Sequence, residues 1–237
     1  DAGLRLIADA CEQTGRGVHI HLAEDRWDVS HSHITYGTEL IPRLDSFGLV
    51  NDKSMLIHGV FLDEREIETI NERDAFLVHN SRSNMNNGVG YNHHLPDVRN
   101  LALGSDGIGG DMFTEMQTAF FKHRDAGGPL QPDSFLRALA AGNRILERVF
   151  HRPFGRVEAG YPADLVVAQY ASSTPLRPEN IAGHLVFGMG SGIVESVMIA
   201  GRMVMEERRF PVDIDAIYGE ARGQAERLWQ RMNEVTP

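Results

Sequence analysis

The chain reads as an α/β protein with parallel strands. Four short apolar runs alternate with helical spans at α/β spacing, and no hairpin turn signal joins one run to the next. Each run also closes on a polar cluster: His21-Leu-Ala-Glu24, His58-Gly-Val, His79-Asn80 and Ser105-Asp106-Gly107. At the carboxyl ends of successive parallel strands, such residues face one common mouth.

Taken in order, Ala2 to Ala10 has helical spacing, with stop signals at Gly15 and Gly17. The chain opens on Asp1 rather than Met and runs straight into this helix, so we expect polypeptide before it. Val18 to Leu22 reads as a strand. The polar stretch Asp25 to Thr35 reads as a loop, leading to a helix around Tyr36 to Phe47 that Gly48 can end. Met55 to His58 is the next strand. Asp63 and Glu66 have capping-box spacing, starting a helix whose Ile67 and Ile70 share a face. Ala75 to His79 is strand again. The segment Asn80 to Pro96, with five asparagines, two glycines and His93-His94, reads as a long irregular loop of the kind that usually carries function. Asn100 to Gly104 is the fourth strand, followed by helices over Met112 to Asp125 and Asp133 to Phe150.

Composition changes after Phe150. Asp164 to Gln169, Ser196 to Ala200 and Arg202 to Met205 read as short strands, with a Gly201 turn between the last two, before an amphipathic helix from about Asp213 to Met232. This divides the chain into a parallel α/β part over 1–155, a small β-rich part over 156–212 and a C-terminal helix over 213–237.

At 237 residues the chain can bury a sizeable core. Its net charge of -10, without a basic block or stripe, argues against nucleic acid as a partner. No apolar stretch approaches the roughly 20 residues that span a bilayer. The single Cys11 cannot form an internal disulfide, so a cytoplasmic protein without membrane partners is expected.

Individually the polar strand ends are ambiguous. A neutral imidazole is a good zinc or iron ligand, and a nearby glutamate can move protons. Yet a lone His-x-x-Glu is more often a polar strand end, His58 alone could be a hydrogen-bonded rim residue, and Asp106 alone a cap before Gly107. Their succession at four strand ends is what favours a site. His93-His94 and His31-x-His33 read first as solvated or substrate-facing loop residues, and His123, His151 and His184 receive no role. Gly188-Met-Gly-Ser-Gly192 lacks the Lys-Ser or Lys-Thr of a phosphate loop and reads as a tight turn.

His21-Leu-Ala-Glu24, His58-Gly-Val, His79-Asn-Ser-Arg-Ser-Asn84 and Gly104-Ser-Asp-Gly107 resemble, in order and spacing, the amidohydrolase superfamily, in its branch of cytosolic deaminases and chlorohydrolases. The stretches VHNSRSNMNNGVGYNHHLPDVRNLALGSDGIGGDMF, FFKHRDAGGPLQPDSF and IAGHLVFGMGSG are similar to SsnA-type aminohydrolases. The resemblance implies the C-terminal half of a (β/α)8 TIM-type barrel, strands five to eight, plus strands of a small composite β-sandwich. It implies His21 as metal ligand, Glu24 as proton shuttle, His58 as the group that polarises the attacking water and a possible further ligand, and Asp106 as ligand and base. His79, Ser83, Asn84 and His93 are the implied substrate-binding residues. The cofactor implied is one divalent metal ion, zinc ahead of iron. Where many relatives have His-Asn-Pro, this chain has His79-Asn80-Ser81, so substrate preference cannot be borrowed from those relatives.

The family's His-x-His pair at the end of barrel strand one has no counterpart here. The missing N-terminal half of the same protein is thus an expected partner, together with a small-molecule substrate and a second copy in a homo-oligomer. The expected activity of the complete protein is metal-dependent hydrolysis of a C–N bond other than a peptide bond, as deamination of a heterocyclic or amidine-like molecule. Two alternatives stay open: chlorohydrolase-type hydrolysis on a triazine-like ring, and an inert fragment short of metal ligands. Activity of this chain alone is not expected.

Overall fold

The runs of apolar residues become strands because each is flanked by residues that end it. In the computed structural model, which describes residues 1–235, helix α1 (Ala2–Thr14) stops at Gly15 with φ 63°, a left-handed conformation that glycine adopts freely. Gly17 then passes against the backbone of Lys53 and Ser54, where any Cβ would overlap. Next come β1 (His19–Leu22), α2 (Arg26–Tyr36), α3 (Leu40–Ser46), β2 (Met55–His58), α4 (Glu64–Glu72) and β3 (Phe76–His79). They are followed by α5 (Ser81–Asn86), β4 (Leu101–Leu103), α6 (Met112–Asp125) and α7 (Pro132–Phe150). The rest of the chain holds β5 (Leu165–Ala168), α8 (Ile181–Phe187), β6 (Val194–Ile199), β7 (Arg202–Met205) and α9 (Ile214–Glu234).

These elements form two units. The first comprises Asp1–Tyr161 and Tyr170–Gly192, the second Pro162–Gln169 and the chain from Ile193 onward. In the first unit β1 to β4 lie in sequence order and pair in parallel throughout. Every one of the four β3 residues is buried, as a parallel strand covered on both faces requires. Leu56, Ile67, Ile70 and Leu77 are fully buried in the main core with Ile41, each worth about 1.5–3 kcal/mol relative to exposure.

Three segments differ from what the sequence predicts. Asp25 to Thr35, expected as a loop, is nearly all helix α2. The Asp25 side chain accepts from the Trp27 N–H at 2.7 Å and caps it, Gly37 ends it at φ 68°, and Ser32 is its only buried residue. A helix that buries almost nothing has the composition of a loop. The single helix expected over Tyr36 to Phe47 is accordingly the short α3. Asn80 to Pro96 is also less irregular than expected, since α5 occupies its start and a 3₁₀ turn spans Leu95–Asp97.

The Asp63–Glu66 capping box forms as its spacing predicts. Glu66 does more: its Oε1 accepts from the Ile41 N–H at 3.1 Å, tying α4 to α3, and burial pushes its carboxyl above the usual range.

In the second unit β5, β6 and β7 form an antiparallel sheet in that order, with Ala200 (φ 49°) and Gly201 (φ 78°) making the last turn. Helix α9 is capped by Asp213, which accepts from the Ala216 N–H. No helix among the described residues is long and apolar enough to cross a membrane.

Candidate active site

Parallel register brings the strand ends level. Leu22 lies opposite His58, and His79 opposite Leu103, so Glu24, His58, His79 and Asp106 all follow the same edge of the sheet. The backbone there leaves the strand geometry abruptly. Ala23 (φ 50°), His58 (φ 74°) and Asp106 (φ 51°) are all left-handed, a conformation costly for residues with a Cβ and held only by its surroundings. Hydrogen bonds from Gly59 N–H to Leu22 O and from Phe61 N–H to Ala23 O fix the turn beyond β2 against the end of β1.

The result is a three-residue group. One donor atom each from Glu24, His58 and Asp106 lies within 4.8 Å of the other two. His58 Nε2 stands 3.5 Å from Glu24 Oε2 and 3.6 Å from Asp106 Oδ2, and the His58 side chain is fully buried. Each member is held from behind. His58 Nδ1 meets Asn84 Oδ1 at 2.8 Å, the Ser83 hydroxyl donates to Asp106 Oδ2 at 2.6 Å, and Asn87 Nδ2 donates to Glu24 Oε1 at 3.0 Å. The Asp106 carboxyl is pulled below the usual range, first by the Ser83 hydroxyl and then by the Gly107 N–H at 2.6 Å.

This arrangement fits a divalent ion. Two ligands about 2.0–2.1 Å from a tetrahedral zinc lie about 3.4 Å apart, close to the separations of His58 Nε2 from either carboxylate. His58 Nε2 is buried without a hydrogen-bond partner among the described residues, as a nitrogen reserved for a ligand would be. His21 stands outside the three-donor group on the exposed face of β1, its ring centroid 5.0 Å from that of His58.

The expected substrate-binding residues divide. Ser83 and Asn84 are both buried and engaged by Asp106 and His58. His79 is buried at the end of β3, and burial, followed by the nearby His123 and His58, lowers its pKa to about 4. His93 is exposed, its ring edge against Tyr91.

Three features escaped sequence reasoning. Asn87 holds Glu24 across 63 positions of sequence, and only the asparagine-rich composition of its segment hinted at it. Arg82 donates from Nε to the fully buried Glu115 at 2.6 Å and from Nη2 to Gly109 O at 2.5 Å, bracing the segment after Asp106 against α5 and α6. His123, which received no role, is buried with Nδ1 2.5 Å from the Tyr91 hydroxyl and Nε2 accepting from the Leu130 N–H.

A parallel α/β sheet whose strand ends converge as carboxylate, imidazole and carboxylate offers a group of donors that could hold a metal ion. The chain belongs to the amidohydrolase family, whose model matches residues 1–204. It is 30% identical over 239 residues to the 5-methylthioadenosine/S-adenosylhomocysteine deaminase of Pelotomaculum thermopropionicum, covering 96% of this chain and 55% of that protein. The corresponding deaminase of Thermococcus sibiricus is 31% identical over 214 residues, covering 85% of this chain and 49% of that one. Among solved structures, an adenosine deaminase from Xanthomonas campestris with bound zinc is 30% identical with a TM-score of 0.84, covering 97% of this chain and 54% of that one. A mutant atrazine chlorohydrolase from Arthrobacter aurescens, complexed with zinc and atraton, shares the fold at 20% identity and a TM-score of 0.75, covering 93% and 51%. The chain thus spans about half the length of the curated relatives it matches.

Proposed function

We propose that the complete polypeptide is a metal-dependent aminohydrolase that replaces the exocyclic amine of a heterocycle by oxygen and releases ammonia. The observation that carries this reading is the convergence of Glu24, His58 and Asp106 within 4.8 Å at the ends of parallel strands. The relatives named as deaminases of adenine nucleosides support a 6-aminopurine nucleoside as the substrate class.

On this reading β1 to β4 are strands five to eight of a (β/α)8 barrel, and β5 to β7 are part of a composite sandwich. His58 and Asp106 would hold a divalent ion, zinc ahead of iron, with His21 as a further donor on this chain. When bound, such an ion lowers the pKa of water and makes a nucleophile available near neutral pH. As a holder of that ion, His58 would set where the attacking water stands relative to the ring carbon, and Asp106 accepts the water's proton. Glu24 delivers a proton to the amine nitrogen as the C–N bond breaks, so the amine leaves as ammonia, and the added hydroxyl becomes the ring carbonyl by passing its remaining proton to the adjacent ring nitrogen. Two carboxylates with separate tasks need different surroundings, and they have them: Asp106 is hydrogen-bonded into the anionic form by Ser83 and Gly107, while Glu24 accepts one bond from Asn87.

The test is ammonia release by the complete polypeptide from a panel of adenine nucleosides, pterins and aminotriazines, with halide release from chlorotriazines measured alongside. Ammonia from at least one adenine nucleoside is expected. Halide as the only product, or no product from any compound by metal-loaded protein, overturns the reading.

A further inference from the structure

Asn84 was expected to touch substrate, but its surroundings give it another task. It is 2% exposed, and its carbonyl oxygen lies 2.8 Å from Nδ1 of His58, itself 1% exposed. Its Nδ2 makes no hydrogen bond among the described residues, so the bond to His58 is the side chain's one polar engagement. An amide oxygen can only accept, so the hydrogen between the two atoms belongs to the imidazole. A neutral ring with its proton on Nδ1 has a bare Nε2, because the hydrogen bond at one ring nitrogen decides the state of the other.

The opposite face of the ring agrees. Glu24 Oε2 and Asp106 Oδ2 are 3.5 and 3.6 Å from Nε2, beyond the usual N–H···O range of about 2.7–3.2 Å. An Nε2–H would find no acceptor at bonding distance there. A lone pair at Nε2 faces two carboxylates in the spacing of co-ligands around a cation. Ser83 does the parallel service for Asp106, so adjacent residues of α5 hold two members of the group that come from different strands.

We propose that Asn84 is a positioning residue that fixes the Nδ1–H tautomer of His58 and thereby turns the Nε2 lone pair toward Glu24 and Asp106. The inference rests on the reading of His58 and Asp106 as site residues, and it deepens that reading by assigning the protonation pattern of the imidazole. A residue that orients a metal-ligating histidine in this way typically contributes about 10- to 100-fold to metal affinity or activity.

The test is ¹⁵N NMR of histidine-labelled complete polypeptide, stripped of metal, at a pH where His58 is neutral. The His58 signals are assigned by their loss in His58→Gln. In the wild type, Nδ1 is expected as the protonated, pyrrole-type nitrogen and Nε2 as the pyridine-type one. Asn84→Leu, which fills the same volume without an acceptor, should shift His58 toward the Nε2–H form and weaken zinc binding by about 10- to 100-fold. Asn84→Asp, which keeps the acceptor, should restore both. An Nε2–H tautomer in the wild type overturns the proposal, as does Asn84→Leu with unchanged tautomer and zinc affinity. The wild-type spectrum decides the orientation even where a variant fails to fold. Because neither readout needs turnover, an absence of ammonia release would count against the proposed reaction and leave the tautomer assignment standing.

Discussion

The Ser83 hydroxyl donates to Asp106 Oδ2 at 2.6 Å, linking the first turn of α5 to the segment after β4 across 23 positions of sequence. It is the largest of the influences that hold the Asp106 carboxyl below its ordinary range, ahead of the Gly107 N–H. Removing it should therefore raise the midpoint of Asp106 toward that of a free aspartate. Carboxyl ¹³C titration of metal-free Ser83→Ala against wild type measures this directly, and coincident curves would show that Ser83 has no such role.

Asp106 itself is expected to be indispensable. In the complete polypeptide Asp106→Ala should lose tightly bound metal and lower turnover by at least about 10²–10⁴-fold, the range associated with removing a general base. Elemental analysis and ammonia release on the same preparation provide the check. Retained turnover with unchanged metal content would remove Asp106 from the mechanism.

The ion pair between Arg82 and Glu115 predicts a stability effect away from the chemistry. Glu115 is fully buried and takes two bonds from Arg82, one from the backbone N–H at 3.1 Å and one from Nε at 2.6 Å. Arg82→Ala keeps the backbone N–H bond but removes the guanidinium that pairs with the buried carboxylate, and should destabilise by about 3 kcal/mol. The paired change Arg82→Met with Glu115→Leu should recover much of the loss, as read from denaturant midpoints. Equal destabilisation by the single and paired changes would contradict this account.

Stability should also fall in mild acid through His79. Its folded pKa of about 4 lies below the ordinary 6.5, because burial penalises the charged ring. The unfolded chain therefore binds a proton between these values while the folded chain does not. The contribution is full above pH 6.5, declines as pH drops from 6.5 to about 4, and is exhausted below that. The shift corresponds to roughly 3 kcal/mol. Replacement by a neutral ring of similar size, His79→Phe, should flatten this part of the profile in chemical denaturation at stepped pH.

Gly17→Ala tests the close approach before β1. The added Cβ would overlap the backbone of Lys53 and Ser54, which cannot move aside as a side chain could. A loss of about 1–3 kcal/mol is expected in denaturant melts.

Much of the strand framework was legible because each strand is a short apolar run with a sharp polar end. Met55–His58 matches its expected bounds, and the other three strands of the parallel sheet fall within one residue of theirs at either end. Glu24, His58 and Asp106 could be singled out for the same reason. Helix α2 could not, since a surface helix with one buried residue carries no apolar periodicity to read. The supports of the site were equally hidden. Asn87 reaches Glu24 across 63 positions and Arg82 reaches Glu115 across 33, and no local pattern encodes such partnerships. The bond between Asn84 and His58 belongs to the same class, spanning 26 positions.

The left-handed residues at Ala23, His58 and Asp106 matter for anyone wishing to transplant this group. Copying Glu24, His58 and Asp106 onto the ends of straight, ideal strands would aim the three side chains along different vectors and scatter their donor atoms. The portable unit is the bent backbone, and a scaffold would have to reproduce three reluctant turns before the side chains meant anything.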